Sequence, residues 1–304
     1  MKNSKLLACL QLMRPANIVT AFADIMTGFV IGLVSLAGAS GVWKISDFAN
    51  PSLFWLLAAT FGLYGGGVVF NDYFDAELDK KERPERPIPS GRTTKGEAAF
   101  LGFSLLVIAH ISALQVNQIS FFLALGITFM ALFYDKYAKH RTFLGPVAMG
   151  LCRGGNLLLG VSAFPEAIGA NWFLVLIPLL YIGAITLISQ GEVHGGKKSN
   201  LYIGLMLYIL VILIILALGF FKQAGNYFSL TFLALFAYLI IPPLLSALNK
   251  NEARLIGRAV KAGVLALIAL NASLAATYGG WLPALIILLL LPVSLALAKI
   301  FAVT

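Results

Sequence analysis

The sequence predicts an all-α protein: a polytopic membrane bundle of about nine core transmembrane helices plus one extra helix at the C-terminus. Three observations carry this. The 304-residue chain is 60% hydrophobic and only 12% charged, more apolar than a soluble fold can hide. Its apolar residues fall into ten runs of spanning length. Its Lys and Arg residues collect on alternate loops, as membrane insertion demands.

The runs occupy 16–37, 52–71, 97–116, 119–135, 144–163, 172–190, 201–221, 227–248, 259–278 and 281–302. Turn chemistry separates them at Asn50-Pro51, Gly145-Pro146, Gly195-Gly196, Gly225-Asn226 and Gly279-Gly280. The last pair leaves almost no loop, so 259–278 and 281–302 are expected to form a tight hairpin. Gly62, Gly65, Gly66 and Gly67 are small enough to let the second helix approach a neighbour closely. The longest stretch that is not apolar, about 72–96, is a charged block rather than a domain, so residues 1–304 are expected to form one integral-membrane domain. Cys9 and Cys152 are isolated and suit small buried hydrophobes better than a disulfide. No cleavable signal peptide is expected, because Arg14-Pro15 breaks the chain ahead of the first long run.

Orientation follows from the basic residues. With a cytoplasmic N-terminus and ten crossings, nineteen of the 22 Lys and Arg residues fall on the cytoplasmic side. Only Lys44 and Lys222 fall on the other side, and Arg153 lies within a span. This bias explains the net charge of +9 without a nucleic-acid partner. Both termini and the charged block are therefore expected in the cytoplasm.

The acids are harder to explain. Of 13 acidic residues, six lie between Asp72 and Glu85. Topology is indifferent to acids, and carboxylates at a membrane face are costly unless they bind a cation. On a helix Asn71, Asp75 and Asp79 are spaced i, i+4, i+8, with Asp72 close by. Such an oxygen stripe suits a hard cation such as Mg2+, which also takes phosphate oxygens and water. Arg83 and Arg86, which follow, supply positive charge for the phosphates.

Three further groups share or approach that face. Gln190-Gly191-Glu192-Val193-His194-Gly195-Gly196-Lys197-Lys198 ends the sixth run, where Glu192 could add a ligand and Lys197 a phosphate contact. A plain glycine turn with a solvated His194 is the alternative. Tyr134–Arg141 ends the fourth run, and Lys139 is its candidate phosphate clamp beside a topological reading. Within the spans, Arg153 and Asn156 could line the same cavity, or Arg153 could pair with Asp24. Asn17 could reach the site or cap a helix.

These residues carry a resemblance. Asn71-Asp72-x-x-Asp75-x-x-x-Asp79 followed by Arg83-Pro84-x-Arg86-Pro87-Ile88-Pro89-Ser90-Gly91 resembles the first signature of the UbiA superfamily of intramembrane prenyltransferases. Arg14-Pro15-x-Asn17 and the Tyr134–Lys139 patch fit as well, and the likeness spans essentially the whole chain. It implies a UbiA-like bundle in which Asp-rich motifs at a cytoplasmic mouth bind Mg2+ and a prenyl diphosphate. The prenyl group would pass to a small lipophilic acceptor, often aromatic. The resemblance makes Asn71, Asp72, Asp75, Asp79 and Glu192 the metal ligands. Among them Asp72, Asp75 and Glu192 are the catalytic acids. Asn17, Arg83, Arg86, Lys139, Arg153 and Lys197 are the substrate-binding residues.

The second signature departs from the family pattern. Glu192 stands where the later of two Asp residues is usual, and Ile188 where the earlier one is. This version is similar to that of the EboC-like bacterial branch, which implies a bacterial inner-membrane location. The departure also leaves open a different class of function: a membrane protein that binds or transports an isoprenoid without turnover.

Overall fold

The computed structural model describes residues 5–37, 44–139, 141–191, 196–221 and 227–301. The described residues are almost wholly helical, and ten helical segments are long and apolar enough to cross a membrane. A short helix, α1 (Lys5–Met13), precedes α2 (Pro15–Ala37). Then come α3 (Pro51–Glu82), α4 (Lys95–Val116), α5 (Gln118–Phe133) and α6 (Leu144–Val161). The sixth span opens with short turns and α7 (Ile168–Asn171) before α8 (Leu176–Ser189). The C-terminal part holds α9 (Lys198–Phe221), α10 (Tyr227–Lys250), α11 (Ala253–Gly279), α12 (Trp281–Leu288) and α13 (Leu290–Ala298). The expected hairpin is present, turning at Gly280 with φ 82°. The extra C-terminal span bends between α12 and α13 and is anchored on α2, where Ser294 Oγ donates to the Ala16 carbonyl at 2.9 Å.

Two boundaries bear on the site. Hydropathy ends the second span near residue 71, yet α3 continues for three more turns to Glu82. Nothing in 72–82 breaks a helix, and Lys80 and Lys81 in the last turn complement its dipole. It stops at Arg83, whose φ −141° and ψ 62° leave the helical region, as expected for a residue before proline. The fifth helix also runs on, through a single π-helical turn, Tyr134–Ala138.

α2, α6 and α11 lie at the centre. Gly28 and Gly160 let α2 and α6 pack backbone to backbone: a Cβ on Gly160 would collide with the Ile25 carbonyl and one on Gly28 with the Leu157 carbonyl. Gly62 similarly presses α3 on α4 at the Leu105 carbonyl. Such contacts drive helix association in lipid, where no hydrophobic force separates helix from solvent.

The tight centre encloses a polar cluster. Asp24 is 1% exposed. Its Oδ1 accepts from Asn271 at 2.7 Å and from Arg153 Nη2 at 3.2 Å. Its Oδ2 accepts from Asn156 at 3.1 Å and lies 2.9 Å from Arg153 Nε. Asp24 thus sits among donors from α6 and α11, and the Asp24–Arg153 pairing is the one formed.

Candidate active site

The acidic block is presented on the last turns of α3. A helix advances about 100° per residue, so Asn71 and Asp75 lie about 40° apart around it and Asp72 and Asp79 about 20° apart. The single expected stripe is therefore two. Asn71 and Asp75 face the end of α5, where Asn71 Nδ2 donates to Asp135 Oδ1 at 2.8 Å and Lys139 pairs with Asp75. Asp72 and Asp79 face the loop that follows. Arg86 Nη1 reaches Asp79 at 2.8 Å and Asp72 at 3.2 Å, and Arg14 Nη2 reaches Asp72 at 2.8 Å.

Every one of these cations comes from a different element, and all are mostly shielded from solvent. Arg14 links α1 to α2 with φ 50°, a left-handed conformation uncommon for a side chain of this kind. Arg86 belongs to a folded loop. Its turn at Gly91 has φ 73°, and Arg92 holds it to Glu85 at 2.6 Å and to Gln11 of α1.

Two cavities flank the stripes. The inner one, about 210 Å³, runs down α3 from Asn71 to Thr60 and is walled by Arg14, Tyr64, Tyr134, Asp135, Arg153 and apolar side chains. The outer one, about 310 Å³, is framed by Arg14, Arg83, Arg86 and Arg92 with Asp72 and Glu85. Arg83 makes no ion pair among the described residues, and Arg92 is held by neutral acceptors: Gln11 Oε1, Ser90 Oγ and the Glu85 carbonyl. The outer cavity thus carries surplus positive charge.

The structure groups Asn71, Asp75 and Lys139 on one face of the end of α3 and Asp72, Asp79 and Arg86 on the adjacent face. Arg83 lies on the outer wall. Arg153 lines the inner cavity with its guanidinium 5.9 Å from the Tyr64 ring centre, while paired to Asp24. Asn17 is buried within α2 and lines neither cavity. Lys197 is exposed just before α9. Glu192 and His194 lie outside the described residues. Their flanks, Gly191 and Gly196, pack together on Ile256. Ile188 is buried against Gly204 of α9, so it turns its side chain into the core. Arg14 and Asp135 take places that the sequence analysis did not assign. Arg14-Pro15 was visible as a span boundary and as part of the family-like Arg14-Pro15-x-Asn17 run, with no contact assigned to Arg14, and Asp135 was one acid in a basic patch.

The donor set fits a hard cation. It offers carboxylate and amide oxygens and no soft ligand, and Mg2+ is commonly held by one or two carboxylates plus substrate phosphates. Among the described residues no three of His, Cys, Asp and Glu lie close enough together to hold a metal ion by themselves.

The profile of the UbiA prenyltransferase family matches residues 25–255. The chain belongs to the UbiA prenyltransferase family. Its relatives include the digeranylgeranylglyceryl phosphate synthase of Methanothrix thermoacetophila, 30% identical over 243 residues, 76% of this chain and 86% of that one. The synthase of Methanosarcina barkeri is 32% identical over 156 residues, 51% of this chain. That match spans about half the length of the relative, 54%. Among solved structures, an apo UbiA homologue from Aeropyrum pernix K1 superposes with TM-score 0.66 at 18% identity, covering 83% of this UbiA-family chain and 96% of that one. A UbiA homologue from Archaeoglobus fulgidus bound to DMAPP and Mg2+ gives 0.59 at 14% identity, covering 87% and 99%. At these identities the likeness establishes the fold.

Proposed function

We propose that this UbiA-family protein transfers a prenyl group from its diphosphate to a lipophilic acceptor inside the membrane. The observation that carries the reading is the charge pairing on α3. Asp72, Asp75 and Asp79 are each neutralised by a cationic side chain at the mouth of a cavity walled by apolar and aromatic groups. If these carboxylates held a metal instead, Arg14, Arg86 and Lys139 would be free to neutralise the phosphates of its diphosphate. Asn71, Asp72, Asp75 and Asp79, with Glu192 as a further acid, would hold Mg2+, which would neutralise the charge that develops on the departing diphosphate. The family neighbour that binds DMAPP with Mg2+ supports this.

The chain's own residues do the rest. Charge-assisted contacts from Arg14 and Arg86 hold the leaving group in place. The allylic carbon–oxygen bond breaks, its electron pair leaving with the diphosphate. The acceptor then supplies the electron pair for the new bond and gives up its proton to the released diphosphate. The inner cavity keeps water from the electron-poor carbon, and the faces of Tyr64 and Tyr134 stabilise it. We place the mouth and both termini on the cytoplasmic side, following the basic loops.

The outer cavity favours an acceptor with an anionic head. Four arginines there face two carboxylates, Arg83 and Arg92 make no ion pair among the described residues, and relatives are named for a glyceryl phosphate product. This refines the aromatic acceptor that the resemblance implies.

Pyrophosphate release by purified protein tests the proposal, using geranylgeranyl diphosphate, Mg2+ and either a prenylglyceryl phosphate or an aromatic acceptor. The expected result is release that needs both metal and acceptor and is lost in Asp75→Asn. Tight prenyl diphosphate binding with no release under any acceptor would instead establish the carrier reading.

A further inference from the structure

Four of the buried or half-buried aspartates, Asp24, Asp72, Asp75 and Asp79, have a cation of this chain as partner. Asp135 has none among the described residues. It is 4% exposed. Its Oδ1 takes a neutral amide donor, Asn71 Nδ2 at 2.8 Å, and its buried Oδ2 has no hydrogen-bond partner. The nearby cation, Lys139, is committed to Asp75. A carboxylate buried this way is costly and persists only where something compensates it. Asp135 also lines the inner cavity and stands in the single π-helical turn of the described chain, a distortion frequent at functional sites. That turn sets Asp135 beside Asn71 and Lys139 beside Asp75, as two rungs between α5 and α3.

We propose that Asp135 is a ligand for the divalent cation at this mouth, completing an oxygen set with Asn71 and Asp75. This rests on the metal-dependent reading above. The aspartate lacking a cation of the chain would thus be the one that receives an external cation. The two-rung arrangement holds its Oδ1 against Asn71 and leaves its buried Oδ2 unpartnered in the cavity wall, while Lys139 pairs with Asp75.

The test uses Mn2+ as a spectroscopic substitute for Mg2+, titrated into purified protein with non-hydrolysable geranyl thiolodiphosphate and read by electron paramagnetic resonance. Asp135→Asn keeps the shape and is expected to weaken Mn2+ binding by about tenfold or more. Asp135→Glu is expected to retain part of it. Without metal, Asp135→Leu is expected to raise the melting temperature, because an uncompensated buried carboxylate is removed. A purely structural Asp135 would give the opposite shift. Wild-type Mn2+ affinity in Asp135→Asn, with affinity lost in Asp75→Asn, overturns this inference alone. No Mn2+ binding by the wild-type protein overturns the proposed function together with it.

Discussion

Two ion-pair clusters lie in this bundle at different depths, and they are built to opposite ends. At the centre, Asp24 is enclosed by Arg153, Asn156 and Asn271 from two other helices, with glycine-tight backbone contacts around it. At the mouth, the aspartates of α3 are tied to Arg14, Arg86 and Lys139, single side chains from three separate elements next to open cavities. The chemistry of the pairs is the same. In the central cluster Asp24 is held by fixed donors of two other helices, so the pair acts as a lock between helices. In the outer cluster the proposed mechanism has each cation release its carboxylate and meet a phosphate instead. Depth and enclosure, rather than residue type, separate structure from function here.

The sharpest way to break that contrast is at the lock. Asp24→Ala leaves Arg153 buried without its counter-charge. Loss of one partner of a buried pair costs about 3–5 kcal/mol, so little folded protein is expected in detergent by thermal unfolding. Changing both partners, Asp24→Leu with Arg153→Met, is expected to restore most of the stability. If the double variant is stable but has lost prenyl diphosphate binding, Arg153 belongs to the mouth as well as to the lock.

At the mouth, Asp75→Asn is expected to act the other way. Turnover falls by about a hundredfold or more, and metal-dependent binding of a prenyl diphosphate analogue is lost. The melting temperature stays near that of the wild type, since Asp75 joins no helix of the central core. An equal loss of stability would make the mouth a second lock.

A smaller effect is expected where packing alone is at stake. Gly160→Ala would push α6 off α2 and is expected to cost about 1–3 kcal/mol, read as a lower melting temperature with metal binding intact. The mildest variants concern orientation. Ser90→Cys and Ser199→Cys are expected to leave activity unchanged and to be labelled by an impermeant reagent from the same membrane face. Labelling from opposite faces would separate the two loops and remove Glu192 and Lys197 from any shared mouth.

Much of this was legible in the chain. Hydropathy and the basic loops delivered the number of crossings, because lipid requires a long apolar helix for each one and topology leaves its record in Lys and Arg. The Asn71–Asp79 spacing located the mouth, since acids gathered there have no topological reason to exist. The same spacing was read as one stripe, and helix geometry allowed two. Which face met which partner depended on α5 and the 83–92 loop, which are remote in sequence. Asp135 was indistinguishable from its charged neighbours until the π-helical turn fixed its direction. Arg153 had two readings, and only the approach of α2 to α6 through Gly28 and Gly160 selected Asp24 as its partner. The sequence by itself determined the helices, the membrane and the family, because these follow from local composition, period and motif. The tertiary structure decided which charges remain exchangeable, because that depends on what else reaches each buried oxygen.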